Sequence, residues 1–302
     1  MLMNLSVVVI TANRIPVFRR CVETLRSELQ AGDEIIGVTG SQPPLECEMI
    51  EEFSPLLQVI VSDRMCMPYQ RNLGIKTARH AVVAFVDDDA FVQPGWRDEI
   101  MRLYENPDVA GVCGREILKG YEQIETLALP GMGKLGRLRG LQHYAGTEIM
   151  PVRYGQGCNM SFRKHDLEEV GMFDSTYTVK ATCEESDLFE RFYRRGRRVL
   201  YNPQAVVIHE QAAPYGYSRS MLDRRTVFST NRNLAYFYFK HFLFGPESWA
   251  WLLLHSLDSF WRYLRHAVLV VFHTLFLLCL SFAGMVAGIV LALRWHLGGK
   301  RS

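Results

Sequence analysis

Apolar residues in the first 120 positions gather into short unbroken blocks. Ser6 to Thr11, Glu34 to Val38, Leu57 to Val61, Val82 to Val86 and Val109 to Cys113 show little polar alternation. Runs of this kind suit strands covered on both faces, as in a parallel sheet between two helix layers. Helical signals separate them: Pro16 to Leu29, with proline in the first turn, then Gln70 to Thr77 and about Gly95 to Tyr104. The alternation predicts βαβ units with right-handed crossovers, and so an α/β fold with a Rossmann-like, mostly parallel sheet flanked by helices.

The periodicity fades between Lys119 and Gly157, where glycine and basic residues accumulate. Gly131, Gly133 and Gly136 have GxGxxG spacing, but Pro130 precedes them where a dinucleotide fingerprint needs a strand. No GxxxxGK followed by Ser or Thr occurs, so a phosphate is more naturally held by metal than by a glycine cradle. Order resumes with helices near Lys164 to Val170 and across CEESDLFERFYRRG, which Gly196 ends. Short strands at Val199 to Tyr201 and Ala205 to Ile208 follow, and a long aromatic helix begins near Thr226.

The last quarter changes character. Ala267 to Leu293 carries no charge and is bracketed by Arg262, Arg265 and Arg294. As a helix it is ~40 Å long, against a hydrocarbon core of ~30 Å, so membrane insertion is expected. It could span the membrane, or bend at Gly284 and Gly288 and lie in its plane. Trp249 to Tyr263 mixes aromatic, aliphatic and charged residues, as an interfacial helix does. The expected division is therefore 1–225 as the α/β domain, 226–265 as a helical interfacial segment, and 266–302 as a membrane-embedded helix with a basic tail.

Composition narrows the options. The chain has 302 residues, 48% of them hydrophobic, which excludes extensive disorder. Its 34 basic and 32 acidic side chains give a net charge of +2, which makes no case for a nucleic-acid partner. The seven cysteines show no CxxC spacing and are read as reduced thiols. The start, MLMNLSVVVITANR, reads as a first strand and not as a secretory leader.

Candidate chemistry begins where the Val82 to Val86 block ends in Asp87, Asp88 and Asp89. Ligands of open α/β sheets bind outside the carboxyl ends of the strands, so this trio sits where a site is expected. Three adjacent carboxylates need positive charge among them, and Mg2+ or Mn2+ would supply it while bridging to a phosphate-bearing ligand. An acidic turn before a helix is the plainer alternative. Glu184, Glu185 and Asp187 open a helix whose dipole favours their charged forms, as a general base requires. His209 ends a strand and could ligate metal. Arg14, Arg71 and Asn72 follow strands and could reach phosphate, ribose or base.

In this order the pieces resemble the family 2 glycosyltransferases of GT-A fold, over about Leu5 to Lys240. TANR, holding Thr11, Asn13 and Arg14, is similar to that family's nucleotide-contacting opening. PYQRNLGIKTARHAVVAFVDDDAFVQPGW is similar to its signature, with RN-x-G ahead of the DXD strand. The resemblance implies that Asp87 faces the ribose, with Asp88 beside it on the donor side, while Asp89 and His209 hold Mg2+ or Mn2+ on the diphosphate. GQGCNMSFRK resembles an acceptor-side segment, which assigns Cys158 and Asn159 to that side together with Trp96. CEESDL resembles the family's ED-x-DL element and puts Glu185 at the position of the base, although Glu184-Glu185 stands where Glu-Asp is usual. The second strand lacks the usual acidic turn, which leaves Asp63 or a backbone group to contact the nucleoside. The QxxRW motif of processive synthases is absent, which implies one sugar per acceptor. The implied activity is inverting, metal-dependent transfer from a nucleotide-sugar to a lipid-linked or saccharide acceptor at the cytoplasmic membrane face. A nucleotide-sugar-binding protein without turnover and a metal phosphohydrolase are the alternatives.

Overall fold

The computed structural model describes residues 3–12, 14–40, 47–120, 131–132, 138–139, 144–179, 181–210, 224–242, 245, 248–257 and 271–297. Its strands are β1 (Leu5–Thr11), β2 (Glu34–Thr39), β3 (Leu57–Val61), β4 (Val82–Asp87), β5 (Ala90–Val92), β6 (Val109–Leu118), β7 (Gly131–Met132), β8 (Leu138–Arg139), β9 (Met150–Pro151), β10 (Asn159–Arg163) and β11 (Arg198–His209). Its helices are α1 (Ile15–Glu28), α2 (Cys47–Glu52), α3 (Met67–Thr77), α4 (Trp96–Met101), α5 (Lys164–Glu169), α6 (Glu184–Arg194), α7 (Arg224–Phe242), α8 (248–257) and α9 (Val271–Leu297).

One sheet runs β3-β2-β1-β4-β10-β6-β11-β5, with β9 paired to β11. The unbroken apolar blocks form its parallel half, β3 to β4, and β1 and β2 are buried along their whole length. Beyond β4 the sheet is mixed. The later strand β10 slots antiparallel between β4 and β6, so β4 and β6 are not neighbours as a simple βαβ succession would make them. Strand β6 runs to Leu118, past the Cys113 limit expected from its apolar run, because its outer half is covered by β11. Strand β5 and helix α2 are too short for periodicity to reveal.

Helix α3 lies directly on β1. A Cβ on Gly74 would come within 2.4 Å of Val8 Cγ1, so only glycine admits this approach. Gly133 and Gly136 of the GxGxxG spacing lie outside the described residues, as does Asn13.

The end of the sheet opposite the aspartate trio is fastened by Asp33. Its carboxylate accepts hydrogen bonds from the backbone N–H of Leu5 at 2.7 Å and of Gln30 at 2.8 Å, and pairs with buried Arg97 at 2.7 Å. Replacing Asp33 with alanine leaves that buried guanidinium only the exposed carboxylate of Asp98, at 3.3 Å, to balance it. The expected cost is about 3–5 kcal/mol in urea unfolding, with turnover per folded molecule unchanged, because β1 separates Asp33 from the trio by ~20 Å.

Candidate active site

The carboxyl ends of β1, β4, β6 and β11 converge on Asp87, Asp88 and Asp89. Strand β4 delivers Asp87 at its last position, a turn holds the other two, and β5 leads the chain back along β11. The register of β5 with β11 sets Ala90 opposite His209, and the Glu210 N–H donates to the Asp89 carbonyl at 2.9 Å. His209 reaches this place because β11 slips register against β6 between Asn202 and Val206. Asn159 stabilises the irregularity by donating its amide to the carbonyls of Ala205 at 2.8 Å and Arg115 at 3.1 Å.

Cations intersperse the trio. Arg14 forms a forked pair with Asp88 and donates from Nη1 to Asp89 at 2.8 Å. The Thr11 hydroxyl donates to Asp88 at 2.6 Å. Asp88 is thus consumed by internal bonds, and burial pushes its carboxyl up to about 6 against the pull of Arg14 and Thr11. For Asp89, burial also opposes ionisation, but His209 and Arg14 outweigh it and hold the carboxyl down at about 2. Arg71, wholly buried, donates to Asp87 at 3.2 Å and grips Glu184 at the start of α6. One guanidinium therefore ties the trio to the Glu184-Glu185 pair.

The two glutamates differ. Glu184 is buried against Arg71, whereas Glu185 is partly exposed. A Cβ on Gly157 would fall 2.4 Å from Glu185 Oε1 and 2.9 Å from Arg71 Nη2, so the missing side chain makes room for both. Burial raises both carboxyls, with the Arg71 charge opposing. Backbone strain precedes them: Val179, Ala181 and Cys183 all have positive φ, between 49° and 68°. Such geometry costs of order 1–3 kcal/mol per residue and persists only where surroundings enforce it. Helix α7 supplies the enforcement, through Arg232 on the Thr176 carbonyl and Asn233 on the Thr178 carbonyl at 3.1 Å.

Carboxylate oxygens of Asp87 and Asp89 and a ring nitrogen of His209 lie within 4.8 Å of one another. This mixed oxygen and nitrogen set suits Mg2+ or Mn2+. His209 also belongs to a group with Glu116 and Cys158. Burial raises the Cys158 thiol far above its ordinary value, so it stays protonated and makes a poor ligand. Glu116 has a different use. Its Oε1 lies 2.5 Å from His209 Nδ1, while His209 Nε2 faces Asp89 Oδ1 at 3.1 Å. A carboxylate behind an imidazole fixes the tautomer and ring orientation that a metal needs. Burial would lower the His209 imidazole, but hydrogen bonds to Asp89, Cys158 and Glu116 raise it. Gln156 in turn donates to Glu116 at 3.2 Å.

Not every expected residue joins this cluster. Trp96 is fully buried and donates its indole N–H to Asn159 at 2.9 Å; Cys158 and Asn159 are buried too. The three brace the sheet beneath the site and present no open surface to an acceptor. Asp187 turns away, one residue pair further along α6, into Lys240 at 2.7 Å, Arg191 at 2.8 Å and His241 at 2.8 Å. Asn72 clamps the backbone of Phe173 through both amide atoms. Asp63 lies exposed beside Arg64. Glu116, Gln156 and Gly157 are additions to the expected set. Glu116 was legible only as a charge in a strand continuing beyond its apolar core.

Relatives fit this picture. The chain is 27% identical over 225 residues to a glucosyl-dolichyl phosphate glucuronosyltransferase of Haloferax volcanii, covering 69% of each. It is 25% identical to a chondroitin synthase of Escherichia coli, over 69% of this chain and 35% of that one. It is 27% identical to a pre-mycofactocin glycosyltransferase of Mycobacterium tuberculosis, over 68% of this chain and 43% of that one. Two solved structures share the fold at a TM-score of 0.61. GalNAc-T7 with UDP, GalNAc and Mn2+ is 14% identical, covering 79% of this chain and 50% of that one. The mannosyltransferase PcManGT of Pyrobaculum calidifontis with GDP-Man and Mn2+ is 16% identical, covering 100% and 89%. The profile of glycosyl transferase family 2 matches residues 6–171, from β1 through α5, and the chain belongs to that family.

Proposed function

We propose that the chain is an inverting, divalent-metal-dependent glycosyltransferase, moving one sugar at a time from a nucleotide-sugar to a lipid-linked or saccharide acceptor at the cytoplasmic membrane face. The observation that carries this is the Asp87–Arg71–Glu184 chain of contacts, which brings the Asp89–His209 pair and Glu185 to one site. Neighbours of the same fold bind UDP or GDP-Man together with Mn2+, which supports a nucleotide-sugar donor and a divalent ion. The Haloferax volcanii relative acts on a glucosyl-dolichyl phosphate, which supports a lipid-linked acceptor.

Asp87, Asp89 and His209 would hold Mg2+ or Mn2+, whose charge offsets that of a departing diphosphate. Glu185, partly exposed while Glu184 is clamped, takes the proton from the acceptor hydroxyl. The acceptor oxygen attacks the anomeric carbon as its bond to the diphosphate breaks. A single displacement without a covalent enzyme intermediate inverts the anomeric configuration. Arg71 fixes the distance between the two halves of the site, and Arg14 keeps Asp88 and Asp89 from moving apart.

Asp89→Ala should lower transfer by at least about a hundredfold, because the ion loses a ligand and the leaving group its compensation; transfer at wild-type rate would refute the metal assignment. Glu185→Gln should lower kcat by about 10²–10⁴. A raised carboxyl is protonated over a wider acid range, so wild-type kcat should climb with pH along a limb above the ordinary glutamate value of about 4.3. That limb should vanish in the variant, and its survival would assign the base elsewhere. Glu116→Gln should weaken Mn2+ binding by about 10–100-fold in calorimetry, with unfolding little changed.

A further inference from the structure

Helix α7 is riveted to the transferase domain. Tyr236 donates to Asp174 at 2.9 Å, Lys240 pairs with Asp174 and Asp187 at 2.7 Å each, and His241 meets Asp187 at 2.8 Å. Helix α8 then runs back along it: Trp251 stacks on Tyr238 at 4.9 Å, and His255 reaches Asn231 at 2.7 Å. Helix α9 turns again and follows α7 in the same direction. Leu277 packs on Val227, Gly284 touches the backbone of Phe228 and Arg232, Gly288 that of Arg232 and Tyr236, and His296 faces the Phe239 carbonyl at 3.2 Å. The start of α8 and the end of α9 therefore lie at the same end of α7.

The outer face of this hairpin is apolar. On α9, Phe282, Val286, Val290 and Leu297 are exposed, continued by Leu253 and Leu257 on α8. Arg224 covers the Phe276 ring at 4.7 Å at one end, and exposed Arg294 stands at the other, placed to meet anionic headgroups. A full crossing is incompatible with the packing. Gly284 to His296 lie level with the α7 segment that carries Asn231, Arg232 and Asn233 and is bonded to the 174–178 loop. Moving α9 through a ~30 Å core would drag those polar groups, and the domain with them, into hydrocarbon.

We propose that α8 and α9 form a hairpin that lies along the boundary between headgroups and acyl chains in one leaflet of an anionic membrane, leaving the chain beyond α9 on the same side as the aspartate site. This rests on the membrane reading above and specifies its topology. The apolar stripe inserts among acyl chains, the basic ends stay at the headgroups, and the transferase domain remains in water.

The test uses the full chain with an affinity tag before Met1 and an epitope behind a specific protease site after Ser302. It is reconstituted into closed vesicles of phosphatidylcholine and phosphatidylglycerol, which are captured through the first tag. The hairpin predicts that added protease strips the epitope from intact vesicles. An epitope protected until detergent is added would overturn the hairpin while leaving membrane association standing. Protein that does not float with vesicles would overturn the membrane reading itself. Val286→Asp with Val290→Asp should cut flotation at least about tenfold while transfer to a soluble acceptor continues. Flotation unchanged, with a self-associated form converted to monomer, would assign the stripe to a second copy and overturn the proposal.

Discussion

Three adjacent carboxylates at the rim of a buried sheet can coexist only with positive charge between them, and the rest of the site is arranged around meeting that need. Arg14 spans Asp88 and Asp89, Arg71 holds Asp87, and His209 contacts Asp89. Each partner comes from a different part of the chain: the entry to α1, the middle of α3, and the end of β11. Satisfying the trio therefore fixes three elements relative to β4. The arrangement leaves Asp88 internally spent, while Asp87, Asp89 and His209 retain the spacing of a metal-binding set.

Arg71 also connects the trio to the Glu184-Glu185 pair. Arg71 cannot contact Asp87 and Glu184 together unless α6 begins close to α3, and the backbone before α6 is strained to make it do so. Helix α7 holds that strained segment from behind through Arg232 and Asn233. Since α7 also carries α8 and α9, the apolar hairpin and the Glu184-Glu185 pair share one rigid support. An acceptor delivered at the hairpin would thus approach the proposed base, Glu185, in a segment that the same helix holds.

Much of this was legible in the sequence, for identifiable reasons. Unbroken apolar blocks exposed the parallel strands because burial on both faces removes alternation. The trio and His209 could be singled out because each follows an apolar block, and Arg71 and Glu184-Glu185 because their order along the chain resembles the family's. The antiparallel insertion of β10 could not be read, since strand order is set by long-range packing and β10 is only five residues long. The inward orientation of Trp96 and Asn159 could not be read for a related reason: both flank the site in sequence, and their mutual hydrogen bond buries them. Glu116 escaped notice because its value lies in the His209 ring it orients, across 93 positions of chain.

The claim on which the account depends is that Asp87, Asp89 and His209 form one cation site facing Glu185. Crystals grown with Mn2+ and a nucleoside diphosphate, measured at the manganese absorption edge, test it directly. The account predicts an anomalous peak within bonding distance of Asp89 and His209, with the diphosphate against it. A peak beside Glu116 and Cys158, or a diphosphate bound with no manganese near the trio, would contradict it.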